Sequence, residues 1–345
     1  MVSSPAELMR VQADVAVATL RAHHSTWSKR YEVLPPIDEL ASKVTWDGTI
    51  EYNPIDVIDP VQEMFDRAGQ QHDDRTLVRY REAIRTVLHE NIHLMAGPGT
   101  TLVFPLDEYE GKAHKVFEEG VTERATRNEL TNYIDALDLE QVAPGIRTAN
   151  TQGAYAAYIP AVDEFSAAVG KNVGLEPAEV VHRMAVVNAA QKFPVAAELL
   201  YAKHLSALVP ETAKADAIGR IAESMHGPFA AIHDYDPKDP SDIRMSGMAG
   251  RAAFRNASAE VQTIAEHWAG HQELRRTLDA GLGATTPLRK PQRDGRGADG
   301  SRGEGGESGQ RPSWHAKAGD RRPLASGPAG NSASRPDRPG GVSRS

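Results

Sequence analysis

Apolar residues recur at helical spacing over most of the first 283 positions. From Pro5 to about Tyr31, Leu8, Val11, Val15 and Leu20 share one stripe of an amphipathic helix. Lys43 to Tyr52 alternates around Asp47-Gly48, the dipeptide of a two-residue type I′ turn, and predicts a β-hairpin. Asp59-Pro60 sets a cap and a first-turn proline in the order that begins a short helix. Asp73-Asp74 begins the next, whose stripe of Leu77, Tyr80, Ile84, Val87, Leu88 and Ile92 runs on until Gly97-Pro98-Gly99. Thr101 to Leu106 reads as a loop or short strand, and Lys112 to about Leu137 as a second long helix. Further helices are expected from about Pro160 to Val169, from Glu176-Pro177, and from Val195 to Leu208. The expected fold is α+β and predominantly helical, with a small sheet beside the helix that ends near Leu94.

Composition changes this picture at one place. From Ala284 onward the chain is rich in Gly, Pro, Ser and Arg, with twelve basic and six acidic residues, which leaves the acidic excess of the −8 chain on residues 1–283. Residues 284–345 have too little apolar surface to offset the entropy of ordering, so they read as a disordered tail behind a single 1–283 domain. The tail's positive charge has its simplest reading as a solvated extension, and no nucleic-acid partner is expected. No apolar run is long enough to span a bilayer. The start, Met-Val-Ser-Ser-Pro-Ala-Glu, lacks the features of a secretory signal, so a cytoplasmic location is expected, with non-classical export left open. Oligomeric state is not set by these features. Cysteine is absent, which excludes disulfides and thiolate metal sites. Any metal must be held by histidines and carboxylates.

The chemistry gathers at His89-Glu90-Asn91-Ile92-His93, inside the stripe that carries Val87, Leu88, Leu94 and Met95. On a helix, residues four apart share a face, so His89 and His93 can aim two imidazoles at one ion while Glu90 stands beside them. His-Glu-x-x-His on a helix is the zinc-peptidase pattern in which the Glu acts as general base. On the second long helix Glu119 and Glu123 share a face, and Glu118 points about 100° away from Glu119. Catalytic zinc favours three protein ligands plus water, and His, His, Glu is one such set.

This stretch, His89 to Glu123, resembles the gluzincin (thermolysin-like) clan of zinc metallopeptidases. The resemblance implies that Glu119, followed by Gly120, is the third ligand and that Glu123 supports a ligand histidine. Glu118 is the competitor for the ligand role, and the Glu-Gly pair favours Glu119. Two features depart from the clan: twenty-five residues separate His93 from Glu119, more than is usual, and the supporting carboxylate is Glu rather than Asp. The resemblance also implies a zincin-like fold, with the hairpin beside the motif helix and its edge strand able to pair with an extended peptide.

Tyr155 and Tyr158 are candidates for stabilising an oxyanion, as tyrosines do in zincins. His182, His204, His226 and His233 are isolated. His23-His24 are adjacent and so point apart, and His267 and His271 lie among polar neighbours that mark a solvated helix face. The expected function is therefore hydrolysis of peptide bonds in a peptide or protein substrate, using Zn2+ held by His89, His93 and Glu119 and a water activated by Glu90. The alternatives are an inactive, zinc-stabilised binding protein, or a peptidase delivered to another cell as an effector or toxin.

Overall fold

The computed structural model describes residues 2–36, 40–100, 111–151, 153 and 155–283, without the side chains of 281–283. The expected tail, 284–345, and the expected loop or strand at Thr101 to Leu106 lie outside the described residues.

Helix α1 is Pro5–Leu20, opened by Ser4, whose hydroxyl accepts the Glu7 N–H, with Pro5 at the first turn. It stops at Leu20, well short of Tyr31. Arg21 turns left-handed at φ 49°, and the Arg21 and Ala22 N–H groups bond back to Ala18 and Val17, which closes the helix end. The chain leaves in two short strands, β1 (His24–Ser25) and β2 (Tyr31–Val33). The hairpin follows as β3 (Ser42–Val44) and β4 (Ile50–Tyr52), antiparallel, with β2 added parallel to β4 in the order β2-β4-β3.

Its turn is not the two-residue type I′ form. Thr45 N–H bonds to Thr49 O and Gly48 N–H to Thr45 O, so Trp46-Asp47-Gly48 is a three-residue loop with Gly48 left-handed at φ 75°. Asp47 stabilises it by accepting from Thr45 Oγ1 and Thr49 N–H, bonds that hold its pKa down at about 2.

A π-helical turn, Pro54–Ile58, leads into α2, Asp59–Asp66. Asp73 then caps α3 (Asp74–His93) by accepting the Thr76 N–H. From Ala83 to His93 every residue of α3 is buried, because α1, α2, β3 and the following long helix enclose it. Strand β5 (Met95–Ala96) pairs antiparallel with β1, which ties the end of α3 to the chain leaving α1.

Helix α4 spans Lys112–Ala136, and the single turn α5 spans Leu139–Val142. The remainder is helical: α6 (Ile159–Val173), α7 (Pro177–Ala185), α8 (Ala189–His204), α9 (Lys214–Ser224), α10 (His226–Ala230) and α11 (Pro240–Gly283). Helix α8 begins six residues before the expected Val195 and carries Pro194 inside it. Helix α6 crosses α4 at Gly120, where a Cβ would lie 2.8 Å from Val162 Cγ2 and 3.3 Å from Tyr158 Cβ. Any side chain there would push the two helices apart, so the Gly after Glu119 has a packing reason of its own. The body is thus predominantly helical with a small sheet. Among the described residues no helix is long and apolar enough to cross a membrane.

Candidate metal centre

The last turn of α3 presents His89 and His93 to the second turn of α4, and the helix spacing delivers both rings to one point. His89 Nε2 lies 3.1 Å from His93 Nε2 and 3.3 Å from Glu119 Oε2, and His93 Nε2 lies 3.4 Å from the same oxygen. Two ring nitrogens and a carboxylate oxygen thus form a nearly equilateral triangle, with all three residues buried. Zinc bonds of roughly 2.0–2.1 Å at tetrahedral angles require ligand atoms about 3.3 Å apart, so the donor set and its spacing fit a zinc-sized ion. Among the described residues this is the one group of three or more His, Asp or Glu side chains so gathered.

Each of the two histidines is held from behind by a carboxylate that has its own cation. His93 Nδ1 is 2.8 Å from Glu118 Oε1, which also accepts from Thr122 Oγ1 at 3.2 Å. The other oxygen of Glu118 meets Lys192 Nζ at 3.3 Å, and this buried lysine donates to the Met184 and Val187 carbonyls. Glu118 therefore lies behind His93, away from the ligand triangle. On the other side, His89 Nδ1 lies 3.2 Å from Glu123 Oε2 in a bent contact that falls short of an aligned hydrogen bond. Glu123 is anchored by Arg85 Nη1 at 2.8 Å and Arg127 Nε at 2.9 Å.

Charge follows this geometry. Burial works against the charged form of His93, yet Glu119 and Glu118 together raise its pKa well above the ordinary value. His89 is raised for the same reason by Glu119 and Glu123, again against burial. Burial would raise the carboxyls too, but Lys192 and His93 hold Glu118 low, His93 and His89 hold Glu119 low, and His89 and Arg85 hold Glu123 low. The site is built to hold positive charge among ionised carboxylates.

Glu90 is buried, is not one of the converging ligands, and accepts a 2.6 Å hydrogen bond from Ser42 Oγ on β3. It lines a cleft of about 240 Å³ together with His93, Glu119 and Tyr155, with β3 and Trp46 forming one wall. Tyr155 takes the left-handed backbone at φ 51°, stacks on the His89 ring at 5.7 Å, and hydrogen-bonds Glu119. Burial and the Glu119 charge push its pKa far up, so the hydroxyl keeps its proton. The loop that carries it is docked through Gly153, where a Cβ would collide with Glu123 Oε1 and whose N–H bonds to Glu82.

Tyr158 behaves differently from the expectation. Its hydroxyl donates to the His233 carbonyl at 2.9 Å, and it is not part of the cleft wall, so of the two tyrosines Tyr155 alone meets the site. His267 and His271 face each other on exposed positions of α11, and among the described residues no third metal-binding side chain is gathered beside them. Sequence reasoning missed Ser42, Arg85, Arg127 and Lys192, and the part played by Glu118, the competitor for the third position, which lies behind His93 instead. A Glu directly before the ligand carboxylate was the only local signal for it. Comparison with known protein families, curated proteins and solved structures finds no match to this chain.

Proposed function

We propose that the protein is a zinc-dependent peptidase of the gluzincin kind, with a zincin-like arrangement of the α3 helix against the β3 strand. The observation that carries this reading is the ligand triangle on the floor of a cleft, with a non-ligand carboxylate, Glu90, immediately beside it. Zinc suits two imidazoles and a carboxylate better than softer metals do, and no thiolate is available to the chain. Bound there, zinc would supply Lewis acidity that brings a water's pKa towards neutrality and polarises a carbonyl.

The chain's own groups divide the remaining work. Glu90, oriented by Ser42, accepts the proton of the attacking water and passes it to the leaving amine. Tyr155, its proton retained, donates to the carbonyl oxygen as negative charge develops there. Glu118 and Glu123 hold the two imidazoles in one tautomer, with the ring nitrogens of the triangle left as acceptors. No covalent intermediate is needed. An extended peptide is the fitting substrate class, because the cleft runs beside β3, the outer strand of the sheet.

Glu90→Gln tests the proposal. The variant keeps size and shape, so zinc content is expected to stay near that of the wild type. Peptide hydrolysis is expected to fall by roughly 10²–10⁴-fold, the range of general-base catalysis. Equal hydrolysis at equal zinc ends the peptidase reading. A zinc-loaded wild type that cuts nothing in a broad peptide library shifts it to a metal-stabilised binding protein.

A further inference from the structure

We infer that the cleft selects substrates bearing a carboxylate close to the scissile bond, and that Lys115 is the side chain that recognises it. This rests on the peptidase reading of the same site. Lys115 stands one helical turn before Glu119 on α4, a spacing that places the two on one face, and it lines the cleft with Glu90, His93 and Glu119.

The other cations around the site are committed. Lys192 is buried against Glu118, while Arg85 and Arg127 hold Glu123. Lys43 on the hairpin pairs at 2.9 Å with Glu51, its partner across the β3–β4 register. Lys115 is exposed and has no ion pair or side-chain hydrogen bond among the described residues. A cleft that already holds Glu90 and Glu119 repels an acidic ligand unless a cation offsets them, and Lys115 is placed to do so.

The opposite wall differs. Val44 and Trp46 make it apolar, and Trp46 is 55% exposed. The two walls together fit a peptide with an apolar side chain against the hairpin and a carboxylate against α4. That carboxylate has two possible sources, an Asp or Glu side chain or the peptide's own C-terminus.

The test uses the full chain as zinc-loaded Glu90→Gln, so that binding is read without turnover. The probes are mixed-sequence peptide pools that differ only in a fixed Leu-Glu or Leu-Gln pair, each made with a free or an amidated C-terminus. The carboxylate form of one of the two pairs is expected to bind about tenfold more tightly, ~1.4 kcal/mol, and which pair shows the difference identifies the source. The preference should shrink as salt is raised, since Lys115 is exposed. Lys115→Met should remove it and Lys115→Glu reverse it, with zinc content and circular dichroism followed in the same samples.

Equal binding of acid and amide forms, a preference that survives Lys115→Met, or no binding by any pool overturns the inference. Hydrolysis of the same pools by zinc-loaded wild type separates the two readings. Cleavage without acid preference removes the role of Lys115 and leaves the peptidase. Acid-selective binding without cleavage removes the peptidase and leaves Lys115.

Discussion

Lys192 offers the sharpest test of how the site is held together. Its side chain is 1% exposed and that of Glu118 is fully buried, so neither charge is screened by solvent. Lys192→Met replaces the stem with an apolar one of similar length and leaves the Glu118 carboxylate with Thr122 and His93 as its remaining partners. Removing one member of a buried ion pair costs about 3–5 kcal/mol, most of it the penalty of the charge left behind. Adding Glu118→Gln removes that stranded charge, so the double variant should be more stable than Lys192→Met alone. Recovery will be partial, because the Met184 and Val187 carbonyls still lack their donor. The expected coupling energy is roughly 2 kcal/mol, within the range for residues in one buried network.

Urea unfolding of chelator-treated protein, followed by circular dichroism, measures this without the metal. The pH dependence gives an independent reading. Against burial, Lys192 and then His93 hold the Glu118 pKa below its ordinary value. A depressed carboxyl contributes stability that is present above its unfolded value, about 4.3, and lost as pH falls through the folded value. With Lys192 gone the folded value moves up, so acid unfolding should begin at a higher pH. Additive single and double variants, or a Lys192→Met cost under about 1 kcal/mol, would show that the pair is not a coupled unit.

Three other outcomes follow from the same geometry. Glu123→Ala should weaken zinc by roughly 10–100-fold in chelator competition, and Glu119→Ala by more, since a converging oxygen is lost. Gly120→Ala should cost about 1–3 kcal/mol in urea unfolding because the new Cβ meets Val162, and Val162→Ala in the same chain should recover part of it. In metal-free protein the raised pKa values of His89 and His93 mean that their stabilising contribution is present below about pH 6.5 and lost as pH rises through the folded values. Zinc requires neutral imidazoles, so the melting-temperature gap between zinc-loaded and metal-free protein should widen from about pH 6 to 8. A gap independent of pH would place the ion elsewhere.

Local signals were legible in the sequence and long-range ones were not. The Asp73 cap, the apolar stripe of α3 and the four-residue spacing of His89 and His93 are all contained in one helix, and each appears where expected. Asp47-Gly48 marked the hairpin correctly but not its turn, because the same dipeptide serves a left-handed Gly in a three-residue loop. The end of α1 at Arg21 depends on the chain turning away to pair β1 with β5, a contact no local pattern announces. Gly120 was readable as part of a resemblance, yet its physical cause is the approach of α6. Tyr155 and Tyr158 were indistinguishable in sequence, since their separation rests on which hydroxyl finds the His233 carbonyl.

Lys192 shows what the structure adds to the choice among the carboxylates. Four glutamates, at 90, 118, 119 and 123, lie near two histidines, and a metal offered all four has several ways to bind. Lys192 holds Glu118 on the far side of His93, and Arg85 and Arg127 hold Glu123 behind His89. Ser42 holds Glu90 towards the hairpin. Each tether removes a competing carboxylate from the ligand triangle and converts it into a support or a base. The two histidines sit at the C-terminal end of α3, where the helix dipole favours a cation. Among the described residues Glu119 is thus the carboxylate left to converge with His89 and His93, because Glu90, Glu118 and Glu123 are fastened elsewhere by segments distant in the chain.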